Sequence, residues 1–331
     1  MISKTIQYNP KLEKSRLVCP LNRSMSELFF NLVDYRNNYF TSNDPNKIIE
    51  FYNSFENRDQ LIQWMKERPK GAANVYEVEG DKDIIVVIPT ADFNGKYAKE
   101  CRENIFKGLH IIFVESGGLG DFYFNYAHNC NVGIKRAMEY NPKWVVVSND
   151  DMVKMDDVKV LKTQLDDLNN QKYDVVFPTP SDYHTYPLYI SKIRLSYKIY
   201  QYLKKRQERI LYDKFNIDFT QSFYTVKSKL VFRKICGTEI TITSAFAILS
   251  SKYIRNLGNY IFDETYINDH EDLDLSFRFT LNKNKNSKIN YNIKALQGST
   301  IGMNICRDLR SVAGRVYFNF KYSRLFNYML N

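Results

Sequence analysis

The sequence predicts an α/β fold: a mostly parallel sheet flanked by helices, with a helical N-terminal appendage and C-terminal helices. Three observations carry that reading. Runs rich in β-branched residues, such as Ile84 to Ile88, are apolar throughout, as strands buried on both faces are. Segments of helical period separate these runs, and strand, crossover and strand recur three times between residues 84 and 177. The 331 positions are 44% hydrophobic and 25% charged, a globular balance that sets aside disordered and fibrous classes.

The first eighty residues read as helices. Ser24 with Glu27 forms a capping box ahead of Leu28, Phe29, Leu32 and Val33. Asp44 and Pro45 make an N-cap and first-turn proline, followed by Ile48, Ile49, Tyr52 and Phe55 at helical spacing. Asn57 with Gln60 opens a third segment carrying Leu61, Ile62 and Met65, which ends by Pro69 and Gly71. No pattern there carries chemistry, so residues 1–80 are assigned to packing or partner binding.

From Ile84 the alternation begins. A helical stretch from about Lys96 to Phe106 leads to a strand at Ile111 to Val114. The next helix puts Ala127, Cys130, Ile134, Ala137 and Met138 on one face and stops at Asn141-Pro142. A strand from Trp144 to Val147 runs into Ser148-Asn149-Asp150-Asp151, and a helix near Val158 to Leu168 precedes a strand at Val175 to Phe177. Residues 81–305 are expected to form the main domain, with 190–235 a basic insertion and 306–331 a C-terminal basic, aromatic helix.

Composition narrows the function classes. Five isolated cysteines with no C-x-x-C pair argue against a zinc site or a disulfide framework, and fit a reducing compartment. No apolar run approaches the ~20 residues of a spanning helix, and the N-terminus lacks a secretory h-region. A cytoplasmic protein is the expectation. The net charge of +10 is uneven: Lys192 to Lys234 holds twelve basic residues against three acidic, and Arg307 to Arg324 five against one. Such patches, rich in Tyr and Phe, suit an anionic partner.

Ligands of parallel sheets sit at the carboxyl ends of the strands. There stand Pro89, Thr90 and Asp92, then Glu115, Ser116 and Gly117, then Asn149, Asp150 and Asp151. A dinucleotide fingerprint fails, because after Gly118 and Gly120 its third glycine falls at Tyr123, and no P-loop occurs. Carboxylates closing a buried strand are costly unless solvated, hydrogen-bonded or paired; a divalent ion bridging to a diphosphate resolves the cost, and a turn or helix N-cap is the other reading, since Asn and Asp favour both. Six acidic residues lie between Asp263 and Asp274. Glu271 and Asp272 fall in the first turn of a helix, whose positive end favours their ionised form. An ionised carboxylate facing a hydroxyl is a general base.

These blocks resemble the family-2 inverting glycosyltransferases of GT-A fold, rhamnosyltransferase-like, over roughly Ile84 to Tyr328. Val87-Ile88-Pro89-Thr90 is similar to the opening strand and turn. Phe113-Val114-Glu115-Ser116-Gly117-Gly118 is similar to V-D-N-G-S, Asn131-Val132-Gly133-Ile134 with Ala137 to N-x-G-x-x-x-A, and Asn149-Asp150-Asp151 to the D-x-D metal motif. Phe262-Asp263-Glu264 followed by Glu271-Asp272-Leu273-Asp274-Leu275 and Arg278 resembles F-D-E…E-D-x-D-L-x-x-R.

The resemblance implies sugar transfer from a nucleotide diphosphate donor to a hydroxyl of a glycan or lipid-linked glycan, with inversion. It implies Asp272 as base with Glu271 beside it. Pro89, Thr90, Asp92, Glu115, Gly117, Asn131, Asn149 and Asp150 would contact the nucleotide sugar. Mn²⁺ or Mg²⁺ would sit at Asp151, helped by Asn149. Two departures stand out: Asn149 replaces the first Asp, and Ala295 to Ser299 lacks the histidine often found there.

Leu195, Ile199, Leu203 and Ile210, with Lys198, Lys204, Lys205 and Arg209 around them, are expected to form a basic amphipathic helix suited to an anionic membrane surface. Val316, Phe320, Arg324 and Phe326 offer a second such face, and ordinary helix packing with a solvated basic face is the alternative reading of both. Two other readings compete. A basic nucleic-acid-binding protein leaves the acidic clusters unexplained and lacks a recognition signature. A GT-A-like sugar nucleotidyltransferase would need a glycine-rich, Arg-containing loop where Thr90 to Gly95 holds one glycine and no Arg.

Overall fold

A computed structural model describes residues 6–7, 44–68, 70, 72–116, 125–181, 184–191, 206–217, 223–225, 236–267, 269–296 and 306–330. The capping box at Ser24 and Glu27, Gly117, Lys192 to Lys205 and Gln297 to Ser299 lie outside them.

In chain order the N-terminal part comprises β1 (Ile6–Gln7), α1 (Pro45–Asn53), α2 (Arg58–Glu67) and β2 (Asn74–Val78). The central part runs through β3 (Asp81–Thr90), α3 (Lys96–Glu100), a π-helical turn (Cys101–Ile105), β4 (Leu109–Glu115), α4 (Tyr126–Met138), β5 (Trp144–Ser148) and β6 (Met152–Lys154). Next come α5 (Val158–Asp166), β7 (Val175–Phe177), β8 (Thr185–Ser191), α6 (Arg206–Lys214), β9 (Phe223–Thr225), β10 (Cys236–Thr243), β11 (Phe246–Ser250) and α7 (Ser251–Asn256). Finally, α8 (Glu271–Leu281), β12 (Asn286–Lys288), β13 (Ile293–Ala295) and α9 (Arg307–Leu330) complete the described chain.

The central sheet has eight strands in the order β1-β2-β4-β3-β5-β11-β7-β12. All but β2 and β11 run in one direction, so the sheet is mostly parallel, and helices flank it. Side chains alternate across each strand, which sorts the apolar runs into two layers. Ile84, Val86 and Ile88 pack with Ala98 of α3 and Leu161 and Leu165 of α5. Ile85 and Val87 face Cys130, Ile134 and Ala137 of α4, and Leu275 and Phe279 of α8 join that layer. Gly133 sets the approach of α4, since a Cβ there would lie 2.3 Å from Val87 Cγ1 and 3.0 Å from Val114 Cγ2.

A third core joins elements far apart in sequence. Phe51, Tyr52, Leu61 and Met65 of α1 and α2 pack with Val312 and Val316 of α9, Leu211 of α6 and Phe277 of α8. The Tyr52 hydroxyl donates to Leu309 O at 2.6 Å and accepts from Ala313 N at 3.1 Å, entering the backbone ladder of α9. Residues 74–78, read from sequence within the helical appendage, form a strand paired antiparallel to β4. The N-terminal helices thus back the helix that begins at Glu271.

The surface expectations change in part. Val316 is fully buried, so it is spent on the core and unavailable to a lipid surface, whereas Phe320 is 42% exposed. Ile210 is exposed on α6 beside buried Leu211. Among the described residues no helix is long and apolar enough to cross a membrane.

Candidate active site

The parallel strands β3, β4 and β5 end together, and their last residues form the floor of the site. Thr90 closes β3 and donates to Asp150 Oδ2 at 2.7 Å. Asn149 is fixed by its backbone, whose N–H reaches Ala245 O at 2.8 Å, and by its side chain, whose Oδ1 accepts from Tyr126 OH at 2.9 Å. The Asn149 amide in turn hydrogen-bonds the Asp151 carboxylate. Asp151 O accepts from Leu296 N at 2.9 Å, which brings the segment after β13 beside it.

These carboxylates are held against burial. Burial raises Asp150 above the ordinary carboxylate range, opposed by the Thr90 hydrogen bond. Burial and then the charge of Asp150 push Asp151 up to about 6, opposed by the Asn149 amide. A hard divalent cation relieves both penalties at once. Among the described residues no three His, Cys, Asp or Glu side chains gather as a metal-binding group. Mg²⁺ typically takes one or two carboxylates and completes its shell with water and substrate phosphates, so Asp151 with Asp150 nearby fits such an ion. Asn149, expected as a ligand, has its Oδ1 engaged by Tyr126 and its amide by Asp151.

The second acidic group stands at the start of α8. His270 precedes it in the left-handed region at φ 73°, a costly conformation for a non-glycine residue. Its ring contacts Asp269 Oδ2 at 2.7 Å. Helix α9 buttresses this turn from behind: a Cβ on Gly314 would lie 2.7 Å from Asp269 O. Glu271 is 7% exposed and Asp272 is half-buried, its Oδ1 accepting from Leu273 N at 2.7 Å. Burial, then the charges of Asp272 and Asp269, raise Glu271 well above the carboxylate range. Burial and then Asp269 raise Asp272 as well.

Tyr126 joins the two groups. While its hydroxyl holds Asn149, its environment includes the charges of Glu271 and Asp272, which together with burial and Cys130 push the phenol well above its ordinary range. One tyrosine thus bonds the floor at Asn149 and feels the charges at the N-terminus of α8.

Other expected contacts have different roles. Asn131 spends its whole amide on the loop before α8: Nδ2 donates to Phe262 O and Glu264 Oε1, and Oδ1 accepts from Ile261 N and Phe262 N. That exhausts the hydrogen-bonding sites of an asparagine side chain. The predicted nucleotide contact is replaced by a staple between α4 and the acidic loop. Glu115 Oε2 accepts from Phe93 N at 2.7 Å and Oε1 from Tyr76 OH at 3.4 Å, so it anchors the turn after β3. Asp92 is exposed and accepts from Asn94 N at 2.8 Å. Pro89 is buried at the end of β3 and pairs in register with Val114. Arg278 Nε bonds Asp274 Oδ2 at 2.9 Å, and Asp274 also takes the Tyr322 hydroxyl at 2.7 Å, so that part of the acidic run is structural.

Sequence reasoning missed Tyr126 and Asn125. Asn125 caps α4 by accepting from His128 N at 2.9 Å, and its Nδ2 holds Glu264 O and Tyr266 O. The available signal was a cluster of polar residues, Asn125, His128, Asn129 and Asn131, in a helix whose other buried positions are apolar. No protein-family model matches the chain, and none of the curated proteins matches it.

Proposed function

We propose that the chain is an inverting glycosyltransferase of GT-A type, taking a nucleotide diphosphate sugar as donor and a hydroxyl of a glycan or lipid-linked glycan as acceptor. The observation that supports this reading is Tyr126, which bonds Asn149 at the strand ends and feels the charges of Glu271 and Asp272 at the start of α8. Inverting transfer needs both: charge stabilisation for a departing diphosphate and a base on the acceptor side of the sugar.

Asp272 takes the proton from the acceptor hydroxyl as that oxygen attacks the anomeric carbon and the bond to diphosphate breaks. The half-buried setting of Asp272 and the neighbouring Asp269 raise its basicity above that of an ordinary carboxylate. Asp151, with Asp150 beside it, would hold a divalent ion, which when bound supplies Lewis-acid stabilisation of the diphosphate. Thr90 keeps Asp150 aimed at the floor, and Asn149 keeps Asp151 in place.

A thermal-shift panel of nucleotide sugars, each with Mn²⁺ and with chelator, tests the reading. One donor should raise the melting temperature, and more so with Mn²⁺. A flat response to every nucleotide sugar and nucleoside diphosphate would overturn it.

A further inference from the structure

The two carboxylates that open α8 face different neighbours. Tyr126 on α4 feels both, Glu271 more than Asp272, and Cys130 on the same helix feels Glu271. Asp272 acts on Tyr186 of β8, together with Asp269 and Arg307. Adjacent helical residues diverge by about 100°: Glu271 shares a face with Leu275 and Phe279, which join the α4 layer, and Asp272 with Ser276, whose hydroxyl accepts from Thr243 N of β10.

Glu271 is also deeply enclosed. It is 7% exposed, and its Oε2 has no hydrogen-bond partner among the described residues. The charged and titratable groups that act on it or feel it are Asp272, Asp269, Arg307, Tyr126 and Cys130. Two of these are carboxylates, and the one cation, Arg307, lies at the exposed start of α9. A buried carboxylate with a bare oxygen and anionic neighbours is relieved by taking a proton. It then offers one O–H donor.

We propose that Glu271 is a neutral hydrogen-bond donor that reads a hydroxyl of the transferred sugar, leaving Asp272 as the ionised member of the pair. The sugar contact rests on the glycosyltransferase reading; the proton on Glu271 does not. Division of labour follows from the two environments: Glu271 belongs to the donor side beside Tyr126, and Asp272 to the acceptor side beside Tyr186. A neutral acid also spares the adjoining diphosphate a third nearby negative charge.

Two measurements test it. The infrared spectrum of the full chain, with ¹³C-labelled Glu, should contain a protonated-carboxyl stretch at neutral pH that Glu271→Gln removes. Absence of that band in the wild type overturns the proposal. In the thermal-shift panel, Glu271→Ala should abolish the extra shift of the responding nucleotide sugar over its nucleoside diphosphate. Glu271→Gln, which keeps a donor, should restore most of it. An undiminished response to nucleoside diphosphate shows that the variants fold. An alanine variant retaining the full sugar response overturns the contact, and so does a glutamine variant that fails to restore it. If no nucleotide sugar shifts even the wild type, the glycosyltransferase reading and the sugar contact both fall, while the infrared band still decides the proton.

Discussion

The Tyr126 hydroxyl donates to Asn149 Oδ1 at 2.9 Å, and the Asn149 amide in turn holds Asp151. An aspartate at position 149 would present a carboxylate to Asp151 and repel it. Asparagine instead offers an acceptor to the tyrosine and a donor to the aspartate, so one amide serves both neighbours. The same tyrosine feels the charges of Glu271 and Asp272 at the start of α8.

Tyr126→Phe removes only the hydroxyl. Loss of a partner that orients a metal-binding carboxylate typically costs 10–100-fold in metal affinity. Mn²⁺ titration followed by electron paramagnetic resonance, with nucleoside diphosphate present, should therefore give about tenfold weaker binding in this variant. Folding stability should fall by only about 1 kcal/mol. Unchanged Mn²⁺ affinity would remove the orienting role.

Asp272→Asn should lower turnover by about 10²–10⁴-fold, the usual weight of a positioned base, while the thermal response to donor persists. The pH profile has a definite sign. The active form is ionised and the carboxyl is raised by burial and Asp269, so the rate declines as pH falls through a value above the ordinary carboxylate range. A variant within a few-fold of wild type, or a rate that climbs toward acid pH, would reassign the base.

The protonation of Glu271 has a consequence for folding. Its folded-state affinity for the proton exceeds that of the unfolded chain, so its stabilising effect is complete below the unfolded value and is lost as pH rises toward the folded one. Chemical denaturation between pH 5 and pH 8 should accordingly show a steeper loss of stability in wild type than in Glu271→Gln. Parallel curves would mean that Glu271 titrates alike in both states.

The strands and the start of α8 were legible because burial on two faces leaves an unmistakable apolar run at Ile84 to Ile88, and a first turn crowded with acids marks a helix N-terminus. The roles of individual polar residues were less so. Asn131 sits in a pattern that suggests substrate contact, yet four hydrogen bonds to Ile261, Phe262 and Glu264 make it a staple, a fact fixed by atoms about 130 positions away. Tyr126 carried no signal beyond the polar residues around it, because its importance depends on Asn149 and Glu271 arriving from two other elements. The antiparallel insertion of β11 between β5 and β7 was equally hidden, since strand order is set by packing rather than by local pattern.

Gly133 offers a test of how closely α4 must approach the sheet. Alanine there places its Cβ 2.3 Å from Val87 Cγ1, a stiff β-branched side chain in the core. Overpacking of this kind costs about 1–3 kcal/mol, and the better helix propensity of alanine returns at most about 1 kcal/mol. Gly133→Ala should lower the urea midpoint, and adding Val87→Ala should recover part of the loss. A midpoint equal to wild type would mean that α4 can move outward without cost.

Tyr52 decides whether the N-terminal helices fold with the rest. Its hydroxyl, between Leu309 O and Ala313 N, is a polar link from α1 to α9 in a core shared by α1, α2, α6, α8 and α9. In Tyr52→Phe the two backbone groups can close their own helical hydrogen bond, so the cost should be modest, about 1 kcal/mol. Because one core spans these elements, unfolding followed by far-ultraviolet circular dichroism and by Trp64 and Trp144 fluorescence should remain a single transition, shifted to lower urea. Trp64 lies against the α1 side of that core, and Trp144 is buried beneath the central sheet. Separation of the fluorescence change from the circular dichroism change would show that α1 and α2 detach first, and would free the start of α8 from its support.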